Sequence, residues 1–188
     1  MKESERKDIL RILKGTLRAI KSHNTVKLRE LSNTIIHTAS TLQDGYSITM
    51  AVLVYSFSKI FERNYYQYKG WNNFYSCTLK NLEKAISYLE KKDIINYEEH
   101  IRNIFVCVAR LDKKLRKYIT DVLEKARINK ASRIHEHGIS VGRTAYLLGI
   151  TEWELMDYIG KTGIPDVPLA KTIPIVERLK FARKLFEK

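Results

Sequence analysis

Four polar side chains in the second predicted helix have the spacing of a possible acid–base site. Asn33, His37, Ser40 and Asp44 stand at positions i, i+4, i+7 and i+11, which a helix places on one face. His37 could exchange protons there while Asp44 or Asn33 orients its ring. The pattern is also typical of a hydrogen-bonded seam between helices. Because no nucleophile motif or glycine-rich phosphate loop accompanies it, we expect no enzyme and no cofactor.

The spacing of the other histidines and of the two cysteines does not match that of metal ligands. His135 and His137 are two positions apart, so they point to different faces of a helix, and no third ligand is apparent. Cys77 and Cys107 are thirty residues apart and lack the Cys-x-x-Cys spacing of a zinc site. Two cysteines also do not make a secreted disulfide framework. We therefore predict no metal site, and two buried thiols in a reducing cytoplasm.

The chain is strongly basic, and the charge is unevenly distributed. The 188 residues carry a formal net charge of +13. Residues 1–130 contain 25 Lys and Arg against 14 Asp and Glu, a charge of +11, whereas residues 131–188 contain nine against seven, a charge of +2. This excess favours a polyanionic partner such as DNA or RNA. No segment approaches the roughly 18 apolar residues of a membrane-spanning helix, so we predict no membrane partner and a cytoplasmic location.

The spacing of apolar residues predicts an all-α protein, a helical bundle. There is no proline before Pro165, and apolar residues recur with helical rather than strand periodicity. We predict helices at about 4–22, 26–43, 47–66 and 73–91. A long fifth helix is predicted from a cap at Asn96 through residue 126, and a final amphipathic helix at 173–187. Residues 31–58 contain Asp44 as their one charged side chain and should form the centre of the core.

Basic side chains recur along the first and fifth predicted helices. The first helix has a stripe that is either a solvated face or a surface that follows phosphates. The second half of the fifth helix is similarly basic. The stripe on the first helix is Lys7, Arg11, Lys14, Arg18 and Lys21, and the bases of the fifth are Lys113, Lys114, Arg116, Lys117, Lys125, Arg127, Lys130 and Arg133.

A cluster of aromatic side chains lies beside a lysine between the third and fourth predicted helices. Tyr65, Tyr66 and Tyr68 precede Lys69 and Trp71. Aromatic rings interleaved with bases can stack on unpaired nucleotides. The alternative is a half-buried loop at the end of a helix.

Residues 139–164 have the signals of a helix-turn-helix. Ser140 should cap the first helix, and Ala145 is small enough for a close crossing. Gly149 suits the positive φ of the turn. Thr151 and Glu154 have the spacing of a capping box at the start of the second helix. The apolar side chains that should close the small core between the helices are Leu148, Ile150, Leu155, Tyr158 and Ile159.

The segment 138–154, GISVGRTAYLLGITEWE, resembles the helix-turn-helix of small prokaryotic antitoxin-like proteins and archaeal regulators. Those proteins share the Gly-Ile-Ser start, the Ala-x-x-x-Gly turn and the Trp-Glu opening of the second helix. The resemblance covers 25–30 of the 188 residues. It implies regulation through contact with DNA or protein. The preceding helical part resembles archaeal proteins of unknown activity.

The second helix of this unit is acidic where a DNA-reading helix is normally neutral or basic. Glu152, Glu154 and Asp157 would repel phosphates, and Lys161 alone offsets them locally. Either basic residues outside this helix anchor the nucleic-acid backbone, or the unit binds protein through Trp153. We expect Trp153 to be buried against the long helix.

These observations lead to one functional hypothesis and one alternative. The hypothesis is a regulatory protein that binds nucleic acid, DNA more than RNA, and has a helix-turn-helix. The alternative is an antitoxin-like or other protein-interaction module whose partner is a protein or a second copy. We predict a basic helical bundle at 1–130, the helix-turn-helix at 131–164, and an extended arm with a C-terminal helix at 165–188. The predicted nucleic-acid contacts are Arg127, Lys130, Arg133, Arg143, Thr151 and Lys161.

Overall fold

The computed structural model describes residues 1–42, 44–62, 69–109 and 113–162. These residues form α-helices joined by short connections and contain no strand, so the predicted all-α class is confirmed. No helix within these ranges is long and apolar enough to cross a membrane. The predicted arm and final helix, at 165–188, lie outside the described residues. The helices are α1 (Glu3–Lys21), α2 (Thr25–Leu42), α3 (Gly45–Phe61), α4 (Trp71–Glu90), α5 (Ile94–Ala109), α6 (Lys113–Glu136), α7 (Val141–Leu148) and α8 (Glu152–Thr162).

The α3 helix is the centre of the bundle, as its lack of charge predicted. It packs along the length of α2 and also contacts α1, α6 and α7. Met50, Leu53, Val54, Phe57 and Ile60 are almost completely buried between these neighbours. The α4–α5 hairpin lies on the other side of α1, which contacts α4. Burial of so many aliphatic and aromatic side chains on one helix is the main source of stability for such a core.

Polar caps define where several helices begin. The Asp44 carboxylate accepts a hydrogen bond from the Ser47 backbone N–H at 2.7 Å, and α3 begins at Gly45. The cap predicted at Asn96 is wrong by three residues. The Asp93 carboxylate instead accepts from the Asn96 backbone N–H at 3.1 Å, so α5 begins at Ile94. Either residue type can cap a helix, so the two candidate caps three positions apart could not be distinguished from the residue types alone.

The long fifth helix predicted from the sequence covers two described helices. The first, α5, extends to Ala109, and α6 begins at Lys113; residues 110–112 lie outside the described residues. The two helices have different neighbours, because α5 packs mainly on α4 whereas α6 packs mainly on α3.

Cys77 and Cys107 form a disulfide bond between α4 and α5, so the prediction of two free thiols is wrong. Their Cα atoms are 6.0 Å apart. The reason is the hairpin geometry: each cysteine is fifteen residues from Lys92, which lies in the turn between the two helices. Residues equidistant from the turn of an antiparallel helix pair face each other. The bond also removes one basis for the predicted cytoplasmic location, because that prediction treated both cysteines as thiols.

The α7 and α8 helices form a pair joined by residues 149–151, and their predicted ends are confirmed. The Ser140 hydroxyl accepts from the Arg143 backbone N–H at 3.2 Å, and Gly149 has φ of 62°. Thr151 and Glu154 make both hydrogen bonds of the capping box. The pair packs against α6 and buries Leu155. The domain boundary predicted between residues 130 and 131 falls inside α6, which contacts both the central α3 and this pair.

Candidate nucleic-acid interface

Lys130, one of the predicted phosphate contacts, is buried beneath α3. Its side chain is 1% exposed, and its Nζ atom donates a hydrogen bond to Asn33 Oδ1 at 3.2 Å. The same ammonium group lies 4.1 Å from the centre of the Tyr55 ring. Burial lowers the pKa of Lys130 to about 8, and the positive charge of Arg133 adds to that effect. The structure therefore does not present this lysine to a phosphate.

Three other predicted contacts have partners within the protein. The Thr151 hydroxyl belongs to the capping box and donates to Glu154 Oε2 at 2.7 Å. Lys161 forms an ion pair with Asp157 at 2.6 Å, and Arg133 forms one with Glu136 at 2.8 Å. These pairs are exposed and could exchange partners, but in this arrangement their charge is locally neutralised.

The remaining two predicted contacts, Arg127 and Arg143, are exposed on different helices. The Arg143 guanidinium lies 5.5 Å from the centre of the Tyr146 ring. Arg127 is close enough to the start of α8 to act on Glu154. Hydrogen bonds from the Thr151 backbone N–H and hydroxyl are the main cause of the lowered pKa of Glu154, and the charge of Arg127 contributes. The predicted set is thus not one continuous surface.

A row of bases lies instead along α6, and we call it the basic row: Lys113, Arg116, Lys117 and Arg127. All four side chains are exposed. Arg116, Lys117 and Arg127 follow Lys113 by three, four and fourteen residues, which places the four on one face of the helix, with Glu124 on that face and Asp121 at its edge. Within the described part of the chain, no carboxylate lies within ion-pairing distance of any of the four. Fourteen residues of helix make the row about 21 Å long.

More of the bases in the stripe predicted on α1 are paired with acidic groups than in the basic row of α6. Lys14 contacts Glu90 at 2.6 Å and Lys21 contacts Glu83 at 2.7 Å, both from α1 to α4. Arg11 pairs with an acid on its own helix, at 3.2 Å from Asp8. Three of the five bases in the stripe therefore face carboxylates, which favours the interpretation of a solvated face over a phosphate-binding one.

A groove between α3, α6 and α8 adjoins the basic row, and we call it the tyrosine groove. Its volume is about 530 Å³, within the range of small-ligand sites. Lys117 of the row is followed at intervals of four by Asp121 and Lys125, which line the groove, so the two surfaces share one stripe of α6. The Asn129 amide donates to the Tyr158 hydroxyl at 3.0 Å. The other lining side chains that matter here are Tyr55, Tyr118 and Lys59.

The α7–α8 pair has an acidic and partly apolar surface. Glu152, Glu154 and Asp157 are exposed, as predicted for the second helix. Trp153 is 83% exposed, so the prediction that it is buried against the long helix is wrong. It occupies the first turn of α8, where Leu155 is the side chain that is completely buried. Two further large apolar side chains on this pair, Tyr146 and Met156, are 76% and 55% exposed.

The polar face around His37 does not form the acid–base arrangement considered from the sequence. The Asp44 carboxylate caps α3, and the Ser40 hydroxyl donates to the Ile36 carbonyl at 2.8 Å. Asn33 holds Lys130 rather than His37. His37 is exposed, and the centre of its ring is 6.0 Å from that of His137. Of these hydrogen bonds, the one from Lys130 to Asn33 alone joins two helices, α6 and α2, so the described contacts also do not form the polar seam predicted between the second and third helices.

The other candidate sites considered from the sequence have structural contacts. His135 and His137 each donate from Nδ1 to a main-chain carbonyl, those of Ile139 and Arg133. No cluster of three or more potential metal ligands occurs among the described residues. Trp71 is 2% exposed and packs edge-on against a phenylalanine, so it is not available for stacking on a base. Tyr65, Tyr66 and Tyr68 lie outside the described residues.

Comparison with known proteins provides no relative from which a function could be transferred. No family model matches the chain, and neither the curated proteins nor the solved structures contain a significant match. The resemblance of residues 138–154 to regulatory helix-turn-helix proteins therefore stays a prediction. The geometry and charge of the surfaces described above are therefore the basis for proposing a function.

Proposed function

We propose that this chain is a regulatory protein that binds nucleic acid through the basic row of α6. The observation that carries the proposal is the row itself, four exposed bases on one helix face without acidic partners in the described part of the chain. The α6 helix contains eight Lys and Arg against three Asp and Glu, a charge of +5 in 24 residues. A row about 21 Å long spans roughly six nucleotides of one strand. Phosphate contacts of this kind give affinity and position without reading sequence.

The α8 helix has a secondary role in this proposal, although it occupies the position of a recognition helix. It contains one base and three acids, a charge of −2, and its base is paired with Asp157. A helix with this charge would be repelled from the phosphates that border a groove. Arg127 lies where α6 meets the start of α8, so the pair can stay close to bound nucleic acid without inserting α8 into it.

The proposal is tested by removing charge from the row. In a Lys113→Gln/Arg116→Gln/Lys117→Gln variant, we expect affinity for a labelled oligonucleotide at 100 mM salt to fall by at least about tenfold, because up to three phosphate contacts are lost. Fluorescence anisotropy measures the affinity, and circular dichroism verifies that the helical content is retained.

A variant of α1 with the same change in charge is the matched control. Lys7→Gln/Arg11→Gln/Arg18→Gln also removes three positive charges, but from the opposite part of the bundle. We expect it to reduce affinity less than threefold, the effect of net charge alone. Equal losses in the two variants would show that binding follows total charge and not the row, and a larger loss in the α1 variant would move the site to α1.

A second candidate function is binding of a protein partner or a second copy through the α7–α8 pair. Exposure of Trp153, Tyr146 and Met156 favours it, since aromatic side chains and methionine are enriched at protein interfaces. Sedimentation of the wild type and of Trp153→Ala distinguishes the candidates. Self-association that Trp153→Ala abolishes, in a chain that does not bind nucleic acid, would replace the first proposal with the second. The first proposal, a regulatory protein that binds nucleic acid, includes a cytoplasmic location.

A further inference from the structure

We propose that the tyrosine groove receives an unpaired base of a nucleic-acid strand whose phosphates follow the basic row. The protein would then prefer single-stranded over duplex nucleic acid. This inference rests on the proposed function, because the row holds the strand while the groove holds the base. The groove formed by α3, α6 and α8 would bind a base, whereas the row on α6 would bind the phosphates.

The basic row and the tyrosine groove lie next to each other on α6. Lys117 belongs to the row, and Lys125, eight residues further along the same helix, lines the groove. Two turns of helix separate them by about 12 Å. A strand held at Lys117 therefore passes the mouth of the groove within the length of a few nucleotides. The intervening Asp121 is the one acid among the side chains that line the groove.

The side chains that line the tyrosine groove suit an unpaired base. Tyr55, Tyr118 and Tyr158 come from three helices and are each only partly buried. Aromatic side chains bind unpaired bases by stacking, which tolerates any base. The Nζ atoms of Lys130 and Lys59 lie 4.1 Å and 5.9 Å from the centre of the Tyr55 ring, so this ring already has two cationic neighbours within the protein. The hydrogen-bonded Asn129 and Tyr158 provide polar groups at the rim for the edge of a base.

The size and the charge of the tyrosine groove also suit a nucleotide. A volume of about 530 Å³ can accommodate a nucleotide, and duplex DNA could not enter the groove without unpairing. Lys125 is exposed and has no acidic partner in the described part of the chain, whereas Lys59 pairs with Glu62 at 3.0 Å. Lys125 is thus available for the phosphate attached to the bound base.

Substitution of a groove tyrosine tests the proposal. We expect Tyr118→Ala to weaken binding of a labelled 12-nucleotide single strand by about 5- to 100-fold, with little change for a duplex of the same length. Tyr118→Phe keeps the stacking ring and should bind the single strand nearly as the wild type does. Tyr146→Ala removes an exposed tyrosine outside the groove and should have no effect.

A change in the ligand tests the same point without altering the protein. A 12-nucleotide strand of abasic sites keeps the phosphates and lacks the bases. We expect the wild type to bind it about 5- to 100-fold more weakly than the normal strand, and we expect Tyr118→Ala to bind the two strands with similar affinity. This measurement stays decisive if Tyr118→Ala does not fold.

The outcomes separate this inference from the proposed function. Salt-dependent binding of both strands with equal affinity would overturn the base-binding groove and leave the role of the basic row intact. Duplex binding tighter than single-strand binding would do the same. If neither strand nor the duplex binds at low salt, the proposed function fails and the groove proposal fails with it.

Discussion

Reduction of the bond between Cys77 and Cys107 is expected to lower the free energy of unfolding by about 3–4 kcal/mol. The bond closes a loop with a sequence separation of 30 residues, and the loss of unfolded-chain entropy for such a loop has this size. It also joins α4 to α5, a hairpin that packs on α1 and contacts the central α3, where the Tyr46 hydroxyl donates to Glu98 at 2.8 Å. Urea denaturation with and without a thiol reductant measures the difference, and a thiol assay in denaturant should detect no free cysteine before reduction.

The matched control is Cys77→Ala/Cys107→Ala, which should unfold at the same urea concentration with and without reductant. Its stability should be close to that of the reduced wild type, within the cost of truncating the buried Cys107 side chain. Two free thiols in the untreated protein, or an unchanged unfolding midpoint after reduction, would contradict the assignment of a stabilising disulfide.

Replacement of Lys130 by methionine is expected to raise the free energy of unfolding at pH 7 by about 1–3 kcal/mol. The lysine is 1% exposed, and its described polar contact is with the neutral Asn33. Desolvation lowers its pKa from 10.5 to about 8, which corresponds to about 3 kcal/mol. Loss of the contacts to Asn33 and the Tyr55 ring offsets part of that gain. Replacing a buried charge by an apolar side chain of similar volume is often stabilising.

The same substitution should change the pH dependence of stability. The folded-state pKa of Lys130 is lower than that of the unfolded chain, so between about pH 8 and 10.5 the unfolded state binds more protons. Stability of the wild type should therefore rise with pH through this window, relative to that of Lys130→Met. The advantage of the variant should be full below pH 8 and should shrink toward pH 10.5.

Lys125→Met is the control for this prediction, because Lys125 is exposed on the same helix. We expect its stability to stay within about 0.5 kcal/mol of the wild type at all pH values. If Lys130→Met were less stable than the wild type at pH 7, the contacts with Asn33 and Tyr55 would outweigh the cost of desolvation. The ammonium group would then be a stabilising element of the α3–α6 contact.

Local signals in the sequence predicted much of the fold. The charge-free stretch that contains Phe57 predicted the central helix, and Ser140, Gly149 and Thr151 predicted the ends of α7 and α8. The separate α5 and α6 helices were not predicted, because the apolar residues keep one helical period through 101–126 and no glycine or proline interrupts them; Asp112, directly before Lys113, is of a residue type that often caps a helix. The disulfide depended on a hairpin whose turn had to be placed first, and only then do Cys77 and Cys107 become equidistant from it.

The candidate interface was harder to predict than the fold, because exposure is decided by packing between distant helices. Lys130 and Arg127 look alike in the sequence, but α3 covers the first and leaves the second exposed. Trp153 was expected to be buried because of its large apolar side chain, yet in the first turns of α8 it is Leu155 that is buried and Trp153 that is exposed. The spacing of Lys113, Arg116 and Lys117 was visible in the sequence, and knowing that no acid faces them required the structure.

The dependence of binding on salt tests the role of the basic row most directly. With four phosphate contacts to a single strand, the logarithm of the association constant should fall by about three for each tenfold increase in salt concentration. Anisotropy of a labelled single strand with the full chain should then show binding roughly 50-fold weaker at 200 mM than at 50 mM salt. No binding at 50 mM salt, or an affinity that does not change with salt, would contradict the proposal that the row holds nucleic acid.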